Sequence, residues 1–198
     1  SRVADMVGAW MAAGFIHGVM NTDNFNLTGE TFDFGPWRFL PYCDPAFTAA
    51  YFDQQSRYAY GRQPEAALWA LCRLADCFLY AVKQDALQDV LATFYPKMEE
   101  ALADRLIWRL GLKKVSVEQA GRFANQFFLA AKASHYGWDA LFQDLYSGHL
   151  SSNDKRWKNQ AKLAGLLDMA SNMAARQSQE VAGRLKSDPL VSLEISVV

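Results

Sequence analysis

The run His17–Pro36, HGVMNTDNFNLTGETFDFGP, constrains this chain more than any other stretch. It sets Asp23 beside Asn24, follows them with two short alternating runs around Thr28-Gly29-Glu30, and ends with Asp33 just before Phe34-Gly35-Pro36. Alternation on either side of a glycine-containing turn predicts a small hairpin from Phe25-Asn26-Leu27 and Thr31-Phe32-Asp33-Phe34. Such a hairpin places Asp23 and Asn24 at the end of one strand and returns Asp33 to them. Hard oxygen donors gathered this way form a cradle for a divalent cation carrying phosphates, since Mg²⁺ takes about one or two carboxylates and completes its shell with phosphate and water. Taken alone, Asp23-Asn24 also reads as a tight turn and Asp33 as an ordinary hairpin residue.

Protein kinases present a catalytic aspartate and a metal-binding asparagine in one loop, with a second metal-binding aspartate before Phe-Gly. Here Asn24 lies seven residues after His17, the spacing of the kinase metal asparagine, and Phe34-Gly35 follows Asp33. Two residues after His17, where a kinase has its catalytic aspartate, this chain has Val19. Any acidic function therefore falls to Asp23.

These residues resemble the catalytic segment of the SelO (YdiU, formerly UPF0061) family of kinase-like proteins that transfer AMP from ATP to protein side chains. The resemblance rests on His-Gly-Val-Met-Asn-Thr-Asp-Asn followed by Gly-Glu-Thr, Asp, an aromatic residue and Gly-Pro. It continues through Tyr42-Cys43-Asp44-Pro45, Tyr58 and Gln63-Pro64; beyond about residue 80 only helical character is shared. It implies Asp23 as the catalytic base, Asn24 and Asp33 as ligands of Mg²⁺ or Mn²⁺, and ATP held reversed so that its α-phosphate faces a Ser, Thr or Tyr acceptor on another protein. It implies the fold of a kinase-like C-lobe, mainly α with a small hairpin at the site, within an α+β parent. Relatives can carry a redox-sensitive disulfide between lobes, which bears on Cys43, Cys72 and Cys77.

No glycine-rich phosphate loop and no lysine-bearing strand precede the site. Residues 1–198 are accordingly expected to be a single C-lobe fragment, inactive alone, with the N-terminal nucleotide-binding lobe absent and acting as its partner. Twenty basic against twenty-one acidic residues give a net charge of −1, which does not advertise nucleic-acid binding. No run reaches the roughly 18–20 apolar residues of a membrane span, and no secretion signal opens the chain. Three cysteines without zinc spacing read as reduced thiols, and the expected location is the bacterial cytoplasm.

Periodicity predicts a helix over 3–16 delivering His17, then an ordered loop over 35–62. Gln63-Pro64-Glu65 opens a second helix, running to Val82 or Lys83 with Leu68, Leu71, Cys72, Ala75, Phe78 and Leu79 inward. A pattern from Leu87 to Leu110 is bent or divided at Pro96, with Gly111 as its C-cap. Ser116 and Gln119 fit a capping box, Asp139 caps a shorter helix ending by Gly148, and Asn153 or Asp154 opens a last helix toward Leu185. The apolar tail 190–198 is expected to pack on a neighbour or on further sequence.

Trp69, Phe78, Phe94, Phe123, Phe127, Phe128 and Trp157 are expected in the core. His17 reads as a structural hydrogen-bonder, Asn21 as a brace of the loop, and His135 and His149 as surface or helix-end residues. Arg57 and Arg62 read either as phosphate or acceptor contacts or as solvent-facing, salt-bridged side chains. Two other functions fit the same residues: an atypical kinase moving the γ-phosphoryl group, and a non-catalytic helical interaction module.

Overall fold

The computed structural model describes residues 2–147 together with 165, 166, 169, 170, 172 and 173. The expected helix over Asn153–Leu185, Trp157, His149 and the apolar tail lie largely or wholly outside the described residues. The described part is mainly helical, as expected, and forms two compact units.

The first unit holds residues 1–40 and 44–102. Its first helix, α1 (Arg2–Ala13), buries Val3, Val7 and Met11 on one face. It is shorter than expected because Gly14 takes a positive φ of 71° and the chain turns into the strand β1 (Phe15–Ile16). β1 pairs antiparallel with β2 (Arg38–Phe39), Phe15 opposite Phe39, and Leu40 N–H extends the pairing to the Gly14 carbonyl at 2.8 Å. This pair, rather than the expected hairpin over 25–34, is the regular sheet. The expected hairpin is reduced to one bridge, Phe25 with Thr31.

The loop from Gly35 to Arg62 is ordered, as expected, and ends in a 3₁₀ turn, Tyr60–Arg62. Main-chain bonds pin it, Tyr60 N–H to the Phe47 carbonyl and Gly61 N–H to the Pro45 carbonyl, both at 2.9 Å.

Helix α2 (Gln63–Asp76) begins with proline in its first turn but stops short of the expected Val82. Its buried face is Gln63, Ala67 and Ala70, so the inward face set by Leu68, Cys72 and Phe78 is corrected. Trp69 and Phe78, expected in the core, are 45% and 42% exposed. The amphipathic period was right; its phase follows the small residues, which allow close packing.

Helices α3 (Gln84–Ala92) and α4 (Phe94–Arg109) divide at Thr93, three residues before Pro96. Proline then sits in the first turn of α4, where its missing N–H costs nothing. Within the first unit, Gly8 of α1 lies against the α4 backbone: a Cβ there would stand 2.7 Å from the Met98 carbonyl oxygen and 2.8 Å from the Leu102 nitrogen. Gly8→Ala gains the ~0.5–1 kcal/mol of helix propensity but forces two backbones apart. The expected net result is a loss of about 1–2 kcal/mol, read as a lowered urea midpoint; a raised midpoint would show that the helices separate freely.

The second unit holds residues 41–43 and 103–198. α4 ends within it on Gly111, as expected, and Gly111 N–H bonds the Trp108 carbonyl while Leu112 N–H bonds the Ile107 carbonyl, a Schellman motif. Helix α5 (Val117–Ser134) carries the expected capping box, with Ser116 and Gln119 bonding reciprocally. His135 ends it in the left-handed conformation, exposed as expected. Helix α6 (Trp138–Ser147) ends where expected, but Asp139 is not its cap; it lies in the first turn and pairs with the buried Arg109, whose guanidinium covers the Phe142 ring at 3.7 Å. Phe123, Phe127, Trp138 and Leu141 form the core, with Phe128 half-buried.

Candidate functional site

The site loop is held at its two ends and its middle by polar contacts, and of its carboxylates Glu30 accepts from the Thr28 hydroxyl at 2.7 Å while Asp23 and Asp33 are exposed. Gly18 has φ of +86°, open to glycine, and a Cβ there would stand 2.8 Å from the Pro36 ring, so the two ends of His17–Pro36 meet. His17 is fully buried. Its Nδ1 accepts from Val19 N–H at 3.3 Å, so the ring proton is on Nε2, which donates to the Phe32 carbonyl at 3.2 Å. Both ring nitrogens are engaged, which makes His17 a spacer between the start of the loop and its return and leaves neither nitrogen for a metal.

Burial, the largest influence, pulls the His17 pKa below its ordinary value, against the Phe32 carbonyl bond and the Asp33 charge, which pull it up. The fold therefore holds His17 neutral, while an unfolded chain takes up the proton near its ordinary value of about 6.5. Stability from this source is complete above that value and is lost as pH falls through it toward the lowered folded value. Urea midpoints at pH 7.5 and 5.5 are expected to differ more in the native chain than in His17→Gln, and equal slopes would count against the assignment.

Asp23 and Asn24 stand in a 3₁₀ turn, Thr22–Asn24, and not at a strand end as expected. Asn21 just before it accepts from the Tyr58 hydroxyl at 2.6 Å, so Asn21 braces the loop. Burial raises the Tyr58 pKa; the Arg57 charge opposes this, and the Asp53 and Asp23 charges add to it, which sets Asp23 within electrostatic reach of that phenol. Asp23 itself is exposed.

Asn24 is buried, and its Nδ2 donates to the Val19 carbonyl at 2.9 Å. With the amide nitrogen so committed, Oδ1 is the atom Asn24 has to offer. Phe32 N–H reaches the Asn24 carbonyl at 3.4 Å, which brings the backbone of the return run back to Asn24 and sets Asp33 one residue from that contact. Asp33 is exposed and has φ of 62°, left-handed backbone that aspartate tolerates better than most residues. Ser56 and His135 share this backbone conformation, so the case for Asp33 rests on its place beside the Phe32–Asn24 contact. An amide oxygen and a carboxylate are the hard donors a Mg²⁺- or Mn²⁺-nucleotide needs, and two protein donors suit a cation whose shell phosphates and water complete.

Gln63 is the residue whose role sequence reasoning missed. Its buried side chain accepts from His17 N–H at 2.9 Å and donates to the Phe15 carbonyl at 2.9 Å, replacing one peptide unit of a third strand along the free edge of β1. A glutamine opening a helix carries no such signal. Arg62 pairs with Glu65 at 3.0 Å, the salt-bridged alternative, and Arg57 lies over the Tyr58 and Trp69 rings at 5.4 and 5.2 Å. Among the described residues Cys43, Cys72 and Cys77 form no disulfide.

Comparison with known proteins gives the family in which helices present this loop. The family model described as protein adenylyltransferase SelO matches residues 1–183, and the chain belongs to the SelO family. It is similar to proteins named protein nucleotidyltransferase YdiU. That of Rhodopseudomonas palustris (strain TIE-1) is 44% identical over 159 residues, 77% of this chain and 32% of the relative. That of Myxococcus xanthus is 36% identical over 153 residues, 77% of this chain and 31% of the relative. That of Vibrio vulnificus (strain YJ016) is 37% identical over 145 residues, 73% and 29% respectively. The aligned part is thus under a third of the length of these curated relatives.

Proposed function

We propose that this chain supplies the metal-binding half of a protein adenylyltransferase site, within a kinase-like C-lobe, and that AMP passes from ATP to a Ser, Thr or Tyr hydroxyl of an acceptor protein. The observation that supports the reading is the return of the chain to Asn24: its amide nitrogen is committed to the Val19 carbonyl, which leaves the oxygen on offer, and exposed Asp33 follows directly on the Phe32 N–H that bonds the Asn24 carbonyl. Asn24 Oδ1 and the Asp33 carboxylate would hold Mg²⁺ or Mn²⁺ with the nucleotide phosphates. A bound divalent ion neutralises phosphate charge and makes pyrophosphate a better leaving group.

The chain's own residues then orient and move a proton. Asp23, exposed next to Asn24, accepts the proton of the acceptor hydroxyl as its oxygen attacks the α-phosphorus. The bond from the α-phosphorus to the bridging oxygen breaks, and pyrophosphate leaves with that electron pair. Tyr58, through Asn21, and Gln63, through the His17 main chain, position the loop without touching substrate. Contacts to the remaining phosphates are assigned to sequence of the relatives outside the matched segment. We place the reaction in the bacterial cytoplasm, where ATP and reduced thiols coexist; among the described residues no helix is long and apolar enough to cross a membrane.

The test is a chimera in which this chain replaces the matching segment of the Rhodopseudomonas palustris relative, given candidate acceptor proteins, Mg²⁺ or Mn²⁺, and ATP labelled at the α or the γ position. Transfer of α label alone is expected. Transfer of γ label would establish a kinase, and no transfer together with no metal-dependent ATP binding would leave a helical interaction module.

A further inference from the structure

Within the first unit lies a cavity of about 740 Å³. Leu71, Leu74 and Phe78 of α2 and Leu87, Val90 and Leu91 of α3 give it apolar walls, and Phe25 and Leu27 of the site loop also line it. Its size falls within the ~300–1,000 Å³ typical of small-molecule sites, which are likewise mostly apolar with a few convergent polar groups. Val90 and Leu27 are 68% and 75% exposed, so the lining keeps apolar surface for an occupant to cover.

The charged lining is of one sign. Among the described residues Arg2, Arg73 and Lys97 line the cavity, and no carboxylate does. Arg73 is compensated by Asp76 at 3.1 Å and lies over the Trp69 ring. Neither Arg2 nor Lys97 has an ion-pair partner among the described residues. Two uncompensated cations beside an apolar hollow favour a ligand that brings one negative charge and an apolar body. A neutral apolar ligand would leave the cations unused, and a cationic one would meet repulsion from both.

We propose that this cavity is a second binding site, for an amphipathic anion: an alkyl or aryl body carrying a single acidic head group, its body against Leu74, Phe78 and Leu91 and its head toward Arg2 and Lys97. Thr22 and Phe25, which bracket Asp23 and Asn24 in the chain, line the same cavity, so an occupant packs directly on the turn that carries them. The inference is independent of the transfer reaction, because binding is read without turnover.

The experiment titrates the 198-residue chain with dodecanoate by calorimetry and maps protection by hydrogen exchange, with dodecanol and dodecyltrimethylammonium as neutral and cationic probes. Dodecanoate is expected to bind best and to protect residues 22–27 and 70–78. The double variant Arg2→Glu/Lys97→Glu changes two exposed side chains and is expected to fold normally by circular dichroism. It should weaken dodecanoate roughly tenfold, the scale of two partly exposed charge contacts, and strengthen the cationic probe. Leu74→Glu, which puts a like charge on the wall, should weaken dodecanoate without touching either cation.

Binding that survives both variants, or protection spread over the exposed apolar surface at large, overturns the proposal. So does dodecanoate binding to this chain but not to the chimera, which would mean that other parts of a longer protein fill the cavity. If dodecanoate fails while an acidic, leucine-rich peptide protects 22–27 and 70–78, the cavity is a protein-docking site instead.

Discussion

Asp33→Ala in the chimera is expected to lower transfer of α-labelled AMP by on the order of 10²–10³-fold, the scale on which one preorganised group stabilising transition-state charge is felt. Asp33 is exposed, so the variant removes no buried contact. Its φ of 62° suits alanine less well than aspartate, and the loss of stability should be about 1 kcal/mol. Since about 1 kcal/mol is roughly a fivefold factor, the activity loss should exceed the stability loss by about one to two orders of magnitude. Asp33→Asn keeps the left-handed backbone at little cost and removes only the charge. It should lose nearly as much activity and recover part of it as Mn²⁺ is raised.

Asp23→Ala provides the contrast that assigns the two carboxylates. A general base contributes roughly 10²–10⁴-fold, so the rate should fall comparably, but metal-dependent ATP binding should persist and extra Mn²⁺ should not rescue it. If Asp23→Ala abolishes nucleotide binding and Asp33→Ala does not, the roles are exchanged. If neither variant changes transfer, the loop is structural and the chemistry lies elsewhere in the longer protein.

Much of this frame is written in local residue choice. The capping box at Ser116, Gly111 as C-cap and the proline-led start of α2 were legible because each is decided within about one helical turn. The return of the chain to Asn24 was legible because the turn at Thr28-Gly29-Glu30 is local, and the Phe32 N–H bond to the Asn24 carbonyl carries it. Two things were not. The hairpin over 25–34 gave way to a single bridge because the alternation there covers too few residues to hold a ladder, while β1 recruits β2 from beyond the loop through Phe15 and Phe39. The inward face of α2 was set by Ala67 and Ala70, since packing rewards close approach over side-chain size, and Trp69 and Phe78 were left at the surface. In both cases the deciding partner is distant in sequence, and no local pattern announces it.

The same distance hides Gln63, where the second large effect is expected. Gln63→Leu, close in shape and fully buried, removes a side-chain amide that satisfies His17 N–H and the Phe15 carbonyl together. Each buried main-chain group left without a partner costs about 1–3 kcal/mol, so the variant should lose about 3 kcal/mol, or roughly 6–12 °C in Tm for a chain of this size. Gln63→Glu refines the argument. Its carboxylate still accepts from His17 N–H but faces the Phe15 carbonyl with a lone pair instead of a donor, and protonation restores the donor. That variant should be least stable at neutral pH and regain stability on acidification, opposite in slope to the His17 contribution. Urea midpoints of the native chain, Gln63→Leu and Gln63→Glu between pH 5 and 8 check all of this. In the chimera the Leu variant should also slow AMP transfer below its Tm, because His17 and Phe32 carry the displacement on to Asn24 and Asp33. A variant that loses stability but keeps full transfer would show that the loop is held by its own contacts, through Tyr58 and Val19, without the support of β1.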